Sequence, residues 1–373
     1  MSVAASLDAA VEEVAARVRA DLDGRRPDLA AVFVSAHHRP EYEKVPRLME
    51  RQLGARVLVG CSAGGVIGGG HEVERQPAFS ITAAILPDVG LHPFHLDSPR
   101  RPDVPSAARF LILPEPFTFD ADTFLRALDG DFPGSTKIGG LASGGRQPGE
   151  NALYVEDRAY RGGVVGVAFD GNIAVDTIVA QGCRPIGDPM FVTGHDRNVL
   201  RALDGRRPLD VLQELFQQSD ARDREMFRHS LFLGLVMRER QERYRQGDFL
   251  IRNVIGSDPN TGALAIGALL EDHMIVQFHL RDAETSAGDL EELLARHQAG
   301  ASANRPEGCL LFSCLGRGAA LYGESDHDTA AFRRHFGPVP LGGFFCNGEI
   351  GPVQGTTFLH GYTSAFGLFR PLS

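Results

Sequence analysis

Apolar and polar residues alternate along the chain in two periods, one typical of helices and one of strands. The apolar positions of residues 7–22 recur at helical spacing, which predicts a helix capped by Ser6. Residues 30–36 form an unbroken apolar run, which predicts a buried strand. A second helix is predicted over residues 41–53, and a strand that ends in glycines follows over residues 56–65. The chain therefore begins as a strand–helix–strand unit.

The same order of elements returns further along the chain. Residues 109–145 again predict a strand, a helix and a strand that runs into glycines. Leu111 takes the place of Phe33, and Gly140 takes the place of Gly60, which indicates a duplicated unit of about 80 residues. This spacing is too long for a solenoid repeat, so duplication within an α/β domain is the better interpretation.

Residues 163–180 complete the second unit of the first half, and they predict a β-hairpin turning at Asp170 and Gly171, because this dipeptide stands between alternating apolar runs. The second half of the chain repeats the pattern. Residues 229–280 and 308–369 each predict a further unit. The expected fold class is α/β with mixed α+β sheets, built as four β-α-β-β units in two pairs.

These pairs predict two domains. A segment rich in glycine and proline, residues 182–196, lies between them. We therefore expect one domain over residues 1–190 and another over residues 191–373, each a duplicated β-α-β-β unit. A chain of 373 residues suits two domains of ordinary size.

Composition narrows the class of protein. Hydrophobic residues make up 43% of the chain and charged residues 23%, as in an ordinary globular protein. The net charge of −10 argues against a phosphate-binding surface, so no nucleic-acid partner is expected. The five cysteines form no C-x-x-C pair and the N-terminus has no export segment, which favours the reducing cytoplasm. No apolar run is long enough to predict membrane insertion.

Two residues could act as nucleophiles. Ser62 lies in a G-x-S-x-G pattern at the end of a strand, but glycines follow it where a nucleophile elbow needs a helix. Cys314 also ends an apolar strand, with Arg317 three residues later, and a thiolate there could attack an acyl group. The more common interpretation of each is structural. The histidines lack a metal-ligand pattern and no dinucleotide or Walker fingerprint is present, so neither metal nor cofactor is expected.

A group of polar residues near the C-terminus predicts a binding pocket. Arg317, Asn347, Glu349, His360 and Thr363 stand at the ends of predicted strands, where polar side chains converge easily. Arg317 would bind a carboxylate and Glu349 an ammonium group. A structural ion pair between Arg317 and Glu349 is the alternative, and the sequence alone leaves both open.

The chain resembles the FIST family over nearly its whole length. The resemblance is carried by VLVGCSAGGVIG (57–68), QGCRPIGDPMFVT (181–193), FLIRNVIGSD (249–258), FHLRDAETS (278–286), FSCLGRG (312–318) and LGGFFCNGEIGP (341–352). It implies a FIST N-terminal domain followed by a FIST C-terminal domain. Such pairs are regarded as sensory modules for small ligands such as amino acids.

The resemblance implies a stand-alone sensor in the cytoplasm that relays ligand occupancy to a separate signalling protein. It transfers no catalytic residue, so an enzyme is not expected. Two alternatives stay open: an interaction scaffold without a ligand, and a hydrolase or acyl-transfer enzyme that uses Ser62 or Cys314. The candidate ligand-binding residues are Arg252, Asn253, Cys314, Arg317, Asn347, Glu349, His360 and Thr363.

Overall fold

The computed structural model of the protein describes residues 1–238, 243–300 and 305–372. The helices are α1 (Leu7–Asp21), α2 (Val45–Gln52), α3 (Ala121–Asp131), α4 (Pro208–Gln218), α5 (Ala221–Met226), α6 (Ala283–Gly300), α7 (Ala319–Tyr322) and α8 (His327–Phe336). The strands are β1 (Leu29–Ser35), β2 (Val57–Ala63), β3 (Gly65–Gly68), β4 (His71–Glu74), β5 (Phe79–Ala84), β6 (Val89–Leu96), β7 (Arg109–Pro114), β8 (Lys137–Gly140), β9 (Leu153–Val155), β10 (Arg158–Tyr160), β11 (Val164–Gly171), β12 (Ala174–Gln181), β13 (Cys183–Asp196), β14 (Val199–Leu203), β15 (Leu231–Val236), β16 (Phe249–Asp258), β17 (Ala263–Ile266), β18 (Ile275–Arg281), β19 (Gly308–Cys314), β20 (Leu341–Cys346), β21 (Glu349–Val353), β22 (Thr356–His360) and β23 (Thr363–Arg370).

The first two predicted helices form, with one change of boundary. The Ser6 hydroxyl accepts the Ala9 amide and caps α1, as expected. Residues 36–44 form a 3₁₀ helix instead of the start of an α-helix, and α2 begins only at Val45. Pro46 lies in the first turn of α2. N–H groups in this turn have no partner within the helix, so the missing N–H of proline costs no hydrogen bond.

Three β-α-β units form the repeated part of the fold. Strand β1 pairs in parallel with β2, β7 with β8, and β19 with β20. An antiparallel strand from the same unit then pairs on the other side of the first strand, and this strand is β5, β11 or β23. We call these the first, second and third units.

The units exchange hairpins. Strands β9 and β10, from the second unit, pair onto β2 of the first. Strands β21 and β22, from the third unit, pair onto β8 of the second. Strands β3 and β4, from the first unit, pair onto β20 of the third. Each unit therefore completes the sheet of another, in a closed cycle.

The mixed α/β class is confirmed, but the repeats lie elsewhere than predicted. Residues 229–280 do not form a β-α-β-β unit, because their strands belong to a closed barrel in the order β13-β14-β17-β16-β15-β18. The predicted hairpin over residues 163–180 is wrong as well. Strand β11 pairs with β6 and β7, whereas β12 pairs with β23 in another sheet.

The chain folds into two compact units that differ from its two sequence halves. The first comprises Met1–Val179 with Glu292–Ser373, and the second comprises Ala180–Glu291. The third β-α-β unit thus lies with the first two, because hairpin exchange requires all three. The barrel of the second compact unit has its own apolar core, which includes Leu233, Leu264 and Phe278. Every helix in the described ranges is too short or too polar to span a membrane.

One glycine holds the same place in each β-α-β unit. Gly60 lies opposite Val32, Gly139 opposite Ile112, and Gly343 opposite Leu311. A Cβ atom on these glycines would stand about 2 Å from the facing carbonyl oxygen, at 2.0, 1.9 and 1.9 Å respectively. The equivalent of Gly60 is therefore Gly139, one residue before the glycine that the sequence spacing suggested.

This steric constraint is testable in the second unit. Gly139 has a φ of +151° as well as no room for a Cβ, so Gly139→Ala should lower the free energy of unfolding by roughly 3 kcal/mol or more. Gly130→Ala is the matched control, because Gly130 lies in α3 with no atom near its Cβ position and should gain up to about 1 kcal/mol. Urea unfolding measures both. Equal effects of the two substitutions would contradict the constraint.

Candidate functional site

The structure brings six of the eight predicted ligand-binding residues to one place. Cys314, Arg317, Asn347, Glu349, His360 and Thr363 all lie on or beside strands β19 to β23 of the third unit. Arg252 and Asn253 lie on β16 of the barrel, in the second compact unit. The six belong to the edge where β19 and β20 end, and the carboxyl ends of parallel strands are the usual ligand-binding edge of an α/β sheet.

Arg317 is fully buried and already has a carboxylate partner. Its Nε donates to Oδ2 of Asp328 at 3.0 Å and its Nη2 donates to Oδ1 at 3.1 Å. This bidentate pair replaces the Arg317–Glu349 ion pair that the sequence suggested. Asp328 begins α8, and nothing in the sequence distinguished it from an ordinary residue of a helix N-terminus.

Asp328 remains ionised in spite of its burial. Burial alone opposes its charge, but Arg317 and hydrogen bonds from neighbours hold the pKa of Asp328 well below its usual value. The Ser364 hydroxyl donates to Oδ2 at 2.5 Å, and His327 contacts Oδ1 at 3.0 Å. Ser313 lies against the same oxygen as Ser364, at 3.5 Å. The negative charge is therefore held by several groups at once.

Glu349 is a second buried carboxyl, with different neighbours. Thr363 donates twice to its Oε2, from the backbone N at 3.1 Å and from Oγ1 at 2.7 Å. The Cys346 thiol donates to Oε1 at 3.4 Å. Burial raises the pKa of Glu349 to about 7, because these donors compensate only part of the lost hydration. Glu349 can thus gain or lose a proton near neutral pH.

The other predicted residues lie around this carboxyl. His360 faces Glu349 across the β21–β22 pair and contacts the Gly351 carbonyl at 3.0 Å through Nε2. Asn347 is exposed, and Cys314 is half-buried at the end of β19. They form the outer side of the group, whereas Glu349 and His360 are buried.

We call Ser313, Arg317, Asp328, Glu349, Thr363 and Ser364 the strand-end cluster. The strand pairings allow four of these positions, Ser313, Glu349, Thr363 and Ser364, to be compared with their counterparts in the other two units. In the three exchanged hairpins, Glu349 pairs with Gly140, Val66 with Phe344, and Leu153 with Cys61. In each pair the second residue directly follows the repeated glycine of its strand. Glu349 therefore occupies a position that is apolar and buried in both sister hairpins.

The same change from apolar to polar occurs at three more positions. In the third unit Ser313 pairs with Ser364. The equivalent pair is Val34 with Phe79 in the first unit and Pro114 with Val164 in the second. Thr363 stands one residue before Ser364 and corresponds to Ala78 and Gly163. The first two units thus hold apolar residues or glycine at these places, and the third unit alone holds polar ones.

Two aromatic side chains lie over the charged pair. The Tyr322 ring stacks on the His327 ring with centroids 3.5 Å apart, and the Arg317 guanidinium lies 5.5 Å from the Tyr322 ring centre. Glu72, from hairpin β3–β4, approaches the same region and accepts the Thr329 amide at 2.8 Å. Burial, together with repulsion from Asp328, raises the pKa of Glu72 to about 8. No sequence pattern had indicated Tyr322, His327 or Glu72 as residues of the site.

Ser62 does not have the surroundings of a nucleophile. It is fully buried, its hydroxyl lies 3.1 Å from the Ser143 carbonyl and 3.3 Å from Asn151 Oδ1, and it accepts the Ala152 amide at 3.1 Å. Strand β3 follows almost directly, so the helix of a nucleophile elbow is absent at this position. These contacts are those of a structural serine that ties strand ends together.

A cavity of about 520 Å³ lies away from the cluster, against β12, α6 and the end of β23. Its lining includes Asp176, Arg296, His297 and Arg370, and none of the predicted residues. Arg370 is bound to Asp176 at 2.7 Å, so its charge is compensated within the wall. Among the described side chains, no three histidine, cysteine or acidic residues converge as metal ligands. The strand-end cluster is therefore the better candidate site.

Comparisons with known proteins agree with this organisation. A family model described as the FIST N domain matches residues 28–206, and one described as the FIST C domain matches residues 208–352. An uncharacterized protein of Mycobacterium tuberculosis is 38% identical over 379 residues, covering 99% of this chain and 98% of its own length. One of Mycobacterium bovis is 36% identical over 370 residues, covering 96% and 95%.

A plant relative shares part of the chain. An F-box/LRR-repeat protein of Arabidopsis thaliana is 24% identical over 196 residues, which cover 47% of this chain and 36% of that protein. The two domain models together span most of the chain and confirm the resemblance seen in the sequence. This chain therefore belongs to the FIST family, whose domains are sensory domains.

Proposed function

We propose that this protein is a cytoplasmic sensor that binds a small ligand at the strand-end cluster and relays occupancy to a separate signalling protein. The observation that carries the proposal is the replacement of apolar residues by polar ones in only the third of three equivalent units. Buried polar groups cost stability unless they are compensated, so their retention at positions that the fold fills with apolar residues favours a function.

The charges of the cluster favour a ligand that carries a protonated amine. Asp328 already neutralises Arg317, so a carboxylate ligand would have to compete with a bidentate partner. Burial raises the pKa of Glu349 in spite of the nearby Arg317 charge, and burial with repulsion from Asp328 raises that of Glu72, so an ammonium group would stabilise the ionised forms of both acids. Amino acids are the first candidates, because they present an amine together with a small polar body.

The ligand would enter beside half-buried Cys314 and exposed Asn347. Tyr322 covers Arg317 from the short helix α7, which stands between Gly318 and Gly323, both with positive φ. Such glycines permit backbone changes that other residues resist. Separation of the Tyr322 ring from His327 would open the cluster and give occupancy a structural consequence.

An interaction scaffold is the second candidate function. The second compact unit exposes several large apolar side chains: Phe191, Phe216, Ile255 and Leu269. Exposed apolar residues in number are typical of protein–protein contacts. A scaffold would use them without a ligand, whereas the proposed sensor would use them for its signalling partner.

A ligand panel tests the proposal. We expect calorimetric titration at pH 8 to detect binding of amino acids or other small primary amines, and none of succinate, which lacks the amine. Glu349→Gln should weaken that binding by about 1.5–3 kcal/mol, the range for a hydrogen bond to a charged group. Glu324→Gln is the control, because Glu324 is an exposed carboxylate in the loop before α8. Binding of succinate instead, or equal loss in both variants, would contradict this site and ligand class.

The titration of Glu349 predicts a pH-dependent stability difference. Its pKa is about 7 in the folded protein against 4.5 normally, so the folded state holds a proton that the unfolded chain releases. Its contribution to stability is therefore complete below pH 4.5 and is lost as the pH rises through 7. Glu349→Gln removes this loss, so the stability of the variant relative to wild type should rise by roughly 3 kcal/mol between pH 4.5 and pH 8.

Urea unfolding across this pH range measures the difference. Glu324→Gln serves again as the control, with a difference from wild type that stays constant. A constant or falling difference for Glu349→Gln would show that Glu349 is ionised in the folded protein throughout.

A further inference from the structure

Two cysteines stand side by side at the ends of β19 and β20. Cys314 and Cys346 are direct partners in the parallel pairing of these strands. Neighbouring strands lie about 4.8 Å apart, within the range of roughly 4.4–6.8 Å between the Cα atoms of disulfide-bonded cysteines. Paired residues of adjacent strands point to the same face of the sheet, so the two thiols share one side.

The two thiols differ in exposure and in chemistry. Cys314 is half-buried, and its sulfur accepts the Gly316 amide at 3.4 Å. Cys346 is fully buried, and burial raises the pKa of its thiol well above the usual value. Cys314 is therefore the thiol of this pair that a solute can reach from solvent.

Glu349 supplies the base that the buried thiol lacks. The Cys346 sulfur lies 3.4 Å from Glu349 Oε1, the oxygen opposite the one that Thr363 holds. A carboxyl that titrates near neutral pH can accept a proton from a thiol and return it within one reaction.

We propose that Cys314 and Cys346 form an oxidation site that a small hydroperoxide converts into a reversible disulfide. Cys314 reacts first, Cys346 resolves the product, and Glu349 moves the proton. The site stands on the register of β19 and β20 and on the contact of Cys346 with Glu349, so it holds whether or not the cluster binds an amine ligand.

The reaction balances with the hydroperoxide as the sole oxidant. The Cys314 thiolate attacks the terminal peroxide oxygen, the O–O bond breaks, and the alkoxide leaves as an alcohol after taking a proton from water. Cys314 is then a sulfenic acid. Cys346 gives its proton to Glu349 and attacks the Cys314 sulfur, so the S–S bond forms and the S–O bond breaks. The leaving hydroxide takes the Glu349 proton as water, and the two thiols have lost two electrons to one peroxide.

The surrounding chain can accommodate the bond. Cys314 is the last residue of β19, and Gly316 and Gly318 follow in the loop. Gly140, on β8 of another sheet, leaves room for the Cys346 sulfur, because a Cβ atom at Gly140 would stand only 2.9 Å from it. The adjustment that the bond needs therefore falls to the end of β19, where the two glycines permit it.

Peptide mapping of the full-length protein after treatment with hydrogen peroxide tests the proposal. We expect an intramolecular disulfide between the peptides that carry Cys314 and Cys346, reversed by dithiothreitol. In Cys346→Ser, a 1,3-dione probe should label Cys314 as the sulfenic acid, and in Cys314→Ser neither product should form. Cys309→Ser is the matched control, because Cys309 is a buried thiol on the same strand, and it should behave as wild type.

Glu349→Gln separates proton transfer from simple proximity. It should leave the rate of sulfenic acid formation unchanged and slow disulfide closure by roughly a hundredfold at pH 7, the lower range for a positioned base. Oxidation of Cys309 or Cys61 at the rate of Cys314 would overturn the proposal. A Cys314 sulfenic acid that accumulates in the wild-type protein, or disulfides between molecules alone, would overturn it as well.

Discussion

The exchange of hairpins among three β-α-β units is the constraint on which the first compact unit depends. No unit completes its own sheet, because β2, β8 and β20 each pair with a hairpin from another unit. The cycle closes only when the third unit, from the end of the chain, returns to the first two. The barrel is consequently inserted between the second and third units in the sequence.

Threefold repetition also explains how the fold can tolerate a buried polar site. The first two units fill the equivalent positions with residues such as Val66, Leu153 and Phe79, and these supply apolar burial. The third unit can then hold two carboxyls and a guanidinium in its interior, each satisfied by neighbours. Function and oxidation chemistry would thus share the strand ends of one unit, with Glu349 common to both proposals.

Local sequence predicted local structure well, and pairing over long distances poorly. Helix α1 with its Ser6 cap follows from periodicity and capping chemistry alone. The hairpin predicted over residues 163–180 is wrong because β11 and β12 pair with strands that are distant in the sequence. At the site, polar residues near strand ends were recognisable, but the partner of Arg317 was not. Asp328 reaches it only through the packing of α8 on the sheet.

The most direct test replaces part of the cluster with its counterparts from the sister units. The double variant Glu349→Leu with Thr363→Ala reproduces the residues found at Leu153 and Ala78. Urea unfolding without ligand at pH 8 is the measurement. We predict that the free energy of unfolding of the variant lies no more than about 1 kcal/mol below that of wild type, because the fold does not need this polar pair. A loss of several kcal/mol would show that Glu349 and Thr363 serve stability, and would contradict the account.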